Sequence, residues 1–129
     1  MSQNKSNKQT AIDYLLRKTY EEIDSEREPV CEGCGRGDKP LSHSHTISRY
    51  RCKQIGKPEL IYDKRDIEMM CFGTSASCHE IWEGAPMRDK MKLNNFDKMM
   101  LLIEEEDPEK FASMSLAIQS VTIGLSDNQ

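Results

Sequence analysis

Two cysteines separated by two residues, Cys31-Glu32-Gly33-Cys34, constrain this chain more than any other feature, because Cys71 and Cys78 follow them. A CxxC knuckle lets two thiolates reach one ion from a single turn, and four thiolates satisfy tetrahedral zinc. The second pair is irregular: "FGTSAS" separates its cysteines where two residues are usual. The competing reading is four small buried hydrophobes or unpaired thiols. Cys52, the fifth cysteine, has no evident partner and stands outside the proposed site. At 129 residues, 36% hydrophobic and 31% charged, one modest core is expected, and a metal staple suits a core of that size. No apolar run approaches the ~20 residues of a membrane span, and "MSQNKSNKQT" lacks the apolar centre of a signal peptide. A soluble, cytoplasmic protein with no membrane partner is therefore expected. In that compartment clustered cysteines read as metal ligands before disulfides.

The rest of the chain predicts an α+β fold with helices flanking a small core. Residues 1–9 are polar and expected to be disordered. Residues 10–28 read as an N-terminal helix with Ile12, Leu15, Leu16, Tyr20 and Ile23 on one face. Residues 29–92 read as the zinc-stapled core. Within it, 43–50 and 59–63 are expected to be extended, and "IEMMC" to form a strand or turn. Ser77 and Glu80 make a capping-box signal for a helix near Cys78, which Gly84 and Pro86 interrupt. Residues 93–129 read as C-terminal helices packed on the core, ending in a frayed tail. One runs from Asn95 to Glu106. The next starts at Asp107-Pro108, an N-cap followed by proline, and places Phe111, Met114, Ala117, Ile118 and Val121 on its apolar face. The run "MMLLIEEEDPEK" reads as core packing by Met99, Leu102 and Ile103 beside a solvated acidic face.

Between the two cysteine pairs lies "LSHSHTISRYRC". The order Cys-x-x-Cys, "SHTISR", an extended segment and "DIEMMC…CH" resembles the HNH endonucleases, the ββα-metal nucleases, in their zinc-stapled phage and bacterial branch. "GKPELIYDKRDIEMMC" is also similar to phage recombination endonucleases. The resemblance covers roughly residues 31–83. It implies a small ββα-metal core and a structural zinc on Cys31, Cys34, Cys71 and Cys78. It aligns His45, four residues before Arg49, with the general base that activates water. His79 aligns with a ligand for a catalytic divalent metal (Mg²⁺, Mn²⁺ or Ni²⁺). Asp66 falls where the family has the Asn that orients the base. From that place its carboxylate would accept a hydrogen bond from the imidazole and raise the His45 pKa. Ser44 lies where many members have a second metal ligand, and His43 is the candidate substitute.

The residues make the chemistry coherent on their own terms. Residues 31–66 hold eight basic and five acidic side chains, although the whole chain carries −4. Salt screens charges beyond ~10 Å, so a local basic patch can bind phosphate on an acidic protein. Arg49, Arg51, Lys53 and Lys57 are the candidate phosphate contacts. The leading expectation is a metal-dependent endonuclease acting on DNA, with RNA left open as the alternative. The runner-up is a catalytically inactive zinc module of the same fold that binds nucleic acid or a protein. A third reading is a zinc-stapled structural protein whose acidic helices bind a partner. The sequence leaves the oligomeric state open.

Overall fold

The computed structural model describes residues 7–127. The first helix, α1 (Asn7–Glu26), starts earlier than the periodicity indicates. Of the stretch expected to be disordered, residues 7–9 are helical and residues 1–6 lie outside the described residues, as do positions 128–129 of the expected tail. Ile12, Leu16, Thr19 and Ile23 form the buried face of α1, spaced by alternating steps of four and three. Leu15 sits beside that stripe and remains 39% exposed.

Two strands, β1 (Leu41–His45) and β2 (Ile67–Cys71), pair antiparallel with His45 opposite Ile67 and Ser44 opposite Glu68. Alternation sends His43 and His45 to one face and Ser44 to the other. The His43 face meets α1, where His43 stacks on Tyr20. The Ser44 face meets the helix that follows β2. Covered on both sides, β2 is buried at every position, which is why "IEMMC" does not alternate.

The extended stretch expected over 43–50 stops at His45. Ser48 ends it by capping α2 (Arg49–Gln54), its hydroxyl accepting from the Arg51 N–H at 3.1 Å. Residues 59–63 are not extended either: Pro58–Tyr62 and Lys64–Asp66 are 3-10 turns. Proline starts the first, and Asp63 caps the second through the Arg65 N–H at 2.9 Å.

α3 (Cys78–Gly84) begins at the expected place, but the capping box does not form. The Ser77 hydroxyl bonds within the preceding loop to Thr74, and the Glu80 carboxylate accepts from the Gly73 N–H at 3.2 Å. A short α4 (Met87–Lys90) follows Pro86 and was not expected. α5 (Phe96–Glu106) and α6 (Pro108–Asp127) match the expected helices, and Asp107 accepts from the Lys110 N–H at 3.3 Å. The core joins Ile23, Ile61, Ile67, Met70, Met99 and Ile103, so α1, the sheet and α5 share one interior. Met114 and half-buried Phe111 and Ile118 dock α6 on it. Among the described residues no helix is long and apolar enough to cross a membrane.

Candidate functional site

Cys31, Cys34, Cys71 and Cys78 converge so that their four sulfur atoms lie within 4.8 Å of one another. None is in a disulfide. Sulfurs bound to one zinc at ~2.3 Å lie ~3.8 Å apart in a tetrahedron, so a small contraction closes the set. The first knuckle is held by its own backbone: the Cys31 N–H donates to Arg36 at 2.8 Å and the Gly35 N–H to Cys31 at 2.7 Å. Gly35 adopts φ +80°, a conformation that favours glycine. At Gly33 an added Cβ would lie 2.9 Å from the Cys78 sulfur, so only hydrogen fits there. Backbone N–H groups point at the sulfurs as well, Cys71 to Cys31 and Cys78 to Cys71, each at 3.3 Å. Burial opposes the Cys31 thiolate, but amides of Cys71, Cys34 and Gly33 and the Cys78 thiol outweigh it, and the pKa falls to about 7. The irregular spacer "FGTSAS" is accommodated as a closed loop, with Gly73 at φ +118° and the Thr74–Ser77 bonds across it. These four cysteines can bind a structural metal such as zinc. Cys52 stays apart: buried against Asp66, its thiol is pushed up to about 12, chiefly by burial, and it remains neutral.

Because Cys78 belongs to the cluster, His79 is set at the start of α3 facing β1. Its Nδ1 lies 2.8 Å from the Ser44 Oγ. One arrangement of the protons along this chain frees the His79 Nε2. The Ser42 hydroxyl donates to the Met70 carbonyl at 3.1 Å, the Ser44 hydroxyl donates to Ser42 at 2.8 Å, and Ser44 then accepts from His79. That leaves the His79 Nε2 as a lone pair, 3.5 Å from a Glu83 carboxylate oxygen. Glu83 was missed from the sequence. The signal was there: four residues after His79, it occupies the same face of α3.

His45, on the opposite face of β1, has its Nε2 2.8 Å from the Ile61 carbonyl. A carbonyl only accepts, so Nε2 carries the proton and Nδ1 is the basic nitrogen. Burial lowers the pKa; the Ile61 carbonyl works the other way, and the charges of Arg49 and His43 lower it further. This corrects the role expected for Asp66. Its carboxylate does not bond the imidazole; it accepts from the Ile47 N–H at 2.6 Å and from the Cys52 thiol at 3.7 Å. Asp66 lies fully buried under the turn after β1 and braces that turn, while Ile61 orients the ring. The expected rise in the His45 pKa is replaced by a fall.

His43 is also corrected as a metal ligand. It is turned to α1, 2.7 Å from Asp24 and stacked on Tyr20 at 4.0 Å between ring centres, away from the face that carries Ser44 and His79. The basic candidates divide. Arg51 forms a bidentate pair with buried Asp107 at 2.7 and 2.9 Å and also reaches Glu109. Lys57 donates to the Glu106 carbonyl at 2.8 Å and to its carboxylate at 3.1 Å. Both are therefore held by the α5–α6 junction, not presented as a clamp. Arg49, 3.7 Å from Asp13, and Lys53, 2.9 Å from the Gln9 side chain, stay exposed on α2.

At the end of β1 a cleft of about 320 Å³ opens, lined by His45, Ser48, Trp82 and Glu83 among others. His45 and the helix that carries His79 thus border the same space. No protein-family model, curated protein or solved structure matches this chain.

Proposed function

We propose that this protein is a zinc-stapled, HNH-type endonuclease that hydrolyses DNA phosphodiester bonds. The observation that carries the reading is the Ser44–His79 hydrogen bond, which ties the strand residue next to His45 to the helix pinned by Cys78. It joins the "SHTISR" and "CH" motifs across 35 residues of sequence. The cysteine cluster, read as a zinc staple, sets the start of α3 and with it His79.

His45 supplies the base. With Nε2–H held by the Ile61 carbonyl, Nδ1 is free to take a proton from water as the water oxygen attacks phosphorus. The carbonyl then stabilises the imidazolium that forms. Its low pKa keeps His45 unprotonated near neutral pH, which a base requires. His79 Nε2 and the Glu83 carboxylate offer a nitrogen and an oxygen to a divalent cation, a donor pair that suits Mg²⁺, Mn²⁺ or Ni²⁺. Such an ion, when bound, supplies positive charge for the phosphate and the leaving oxygen.

A second reading is favoured by Ser44. A neutral hydroxyl stands where the resemblance expects a stronger ligand, and it is engaged with His79. This is what an inactive binding module of the same fold would retain. Nicking of supercoiled plasmid in Mg²⁺, Mn²⁺ or Ni²⁺, beside a His45→Ala control, separates the two. Metal-dependent nicking that disappears in His45→Ala is expected. Zinc-loaded protein that binds DNA but nicks it in none of these metals overturns the endonuclease reading in favour of the module.

A further inference from the structure

The cleft beside His45 is built partly from a region that no motif covers. Lys90 of α4 and Lys110 of α6 line it together with Arg51, Asp107 and Glu83. Its volume of about 320 Å³ lies at the lower end of the ~300–1,000 Å³ usual for ligand sites. The charges in it are not equivalent. Arg51 is tied to Asp107, whose oxygens are taken by the guanidinium and by the Lys110 backbone N–H. Neither lysine side chain forms an ion pair among the described residues. Lys90 sits over the Trp82 ring, 5.5 Å from its centre, and Trp82 is itself fixed by a 3.1 Å bond from its ring N–H to the Thr46 carbonyl. Burial first, and the Lys110 charge second, lower the Lys90 pKa. Two cations that line one cleft, neither of them neutralised by an ion pair, favour an anion there. Glu83 is the one uncompensated carboxylate in the lining, and in the reading above it faces a divalent cation.

We propose that this cleft is a phosphate subsite in which Lys90 and Lys110 grip a phosphate of a nucleic-acid strand beside His45. The proposal rests on the endonuclease reading for the identity of the anion. It moves the phosphate contacts from α2 to the α4–α6 side of the cleft. It also gives α6 a function, because its first turn supplies one of the two lysines.

The test uses zinc-loaded, full-length protein and a fluorescently labelled 20-base-pair duplex, with no added divalent cation. Binding is read by anisotropy across a salt series. Lys90→Gln/Lys110→Gln should raise Kd at least tenfold and reduce the slope of log K against log salt by about one unit per lysine. Arg49→Gln/Lys53→Gln is the comparison on α2. Lys90→Arg/Lys110→Arg should keep wild-type affinity, since charge is what the cleft supplies. Thermal melts and zinc content establish that each variant is folded. Unchanged affinity in the double Gln variant overturns the proposal, as does loss confined to the α2 pair, equal loss in the Arg variant, or a wild type that binds no duplex. Cleavage in Mn²⁺ is scored separately. Cleavage with an unaffected double Gln variant leaves the endonuclease reading and removes the subsite. Lysine-dependent binding without cleavage keeps the subsite and removes the endonuclease.

Discussion

His45 and Asp66 show how much one hydrogen bond decides. Because Ile61, and not a carboxylate, holds the His45 ring, cleavage should switch on with rising pH at a midpoint below the ordinary 6.5. A rate profile at saturating metal checks this, and a midpoint above 6.5 would return the orienting role to an acid. Asp66 carries a different pH dependence. Burial raises its pKa from 3.8 to about 8, against the pull of the Ile47 N–H. An unfolded aspartate loses its proton near 3.8, so stability is full below that pH and is lost as pH rises through about 8. Asp66→Asn should remove this loss, so its thermal midpoint relative to wild type should climb between pH 5 and pH 9. Asp66→Ala leaves the Ile47 N–H buried without a partner and should cost ~1–3 kcal/mol, read by denaturant melts. Gly33→Ala would press a methyl group on Cys78, so zinc affinity measured by chelator competition should fall without loss of any ligand. The cysteine set was legible because glycines and a CxxC turn are local signals. The partner of Asp66 was not, because its side-chain direction depends on the turn after β1, which sequence pattern does not encode.

At the level of elements, the α5–α6 junction was read as an acidic solvated face, and much of it is engaged. Asp107 is 2% exposed and pairs with Arg51 of α2, while Glu106 holds Lys57. These contacts join residues 56 and 49 positions apart, which is why basic side chains beside the histidines looked like a free clamp. Local composition counts charges; it does not show which are already neutralised. Removing Arg51 leaves a buried carboxylate alone. Arg51→Met should therefore lower the denaturant midpoint, and the Arg51→Met/Asp107→Leu pair should recover part of that loss. An equal loss in both proteins would mean that the bidentate pair contributes packing only. Whereas α3 begins at the expected place without the capping box that pointed to it, the helices α1, α5 and α6 were legible from periodicity and from the Asp107-Pro108 start. α2 and the 3-10 turns were not, because "SRYRC" and "PELIY" are too short to display a period and their caps, Ser48 and Asp63, lie inside stretches of extended character.

For the whole molecule, the cysteine cluster is where the proposed staple and the proposed chemistry would meet, since Cys78 belongs to the cluster and His79 is the next residue. Elemental analysis should find one zinc per chain. Structural zinc contributes on the order of 10 kcal/mol in small domains, so a strong chelator should unfold the β1–β2–α3 region and abolish nicking together. A folded, metal-free protein would remove zinc from the account. The cluster also has a topological consequence. With its ion bound it cross-links Cys31 to Cys78 and makes a closed ring of the chain between them, both strands included. By chain-entropy arithmetic, closing a ring of that size restricts the unfolded state by ~4 kcal/mol. The two 20-residue helices lie outside the ring along the chain, and α6 leaves Leu116 and Ile123 more than half exposed. Amide exchange should accordingly divide the molecule, slow throughout the ring and faster along the outer half of α6. Breaking the ring should erase that division.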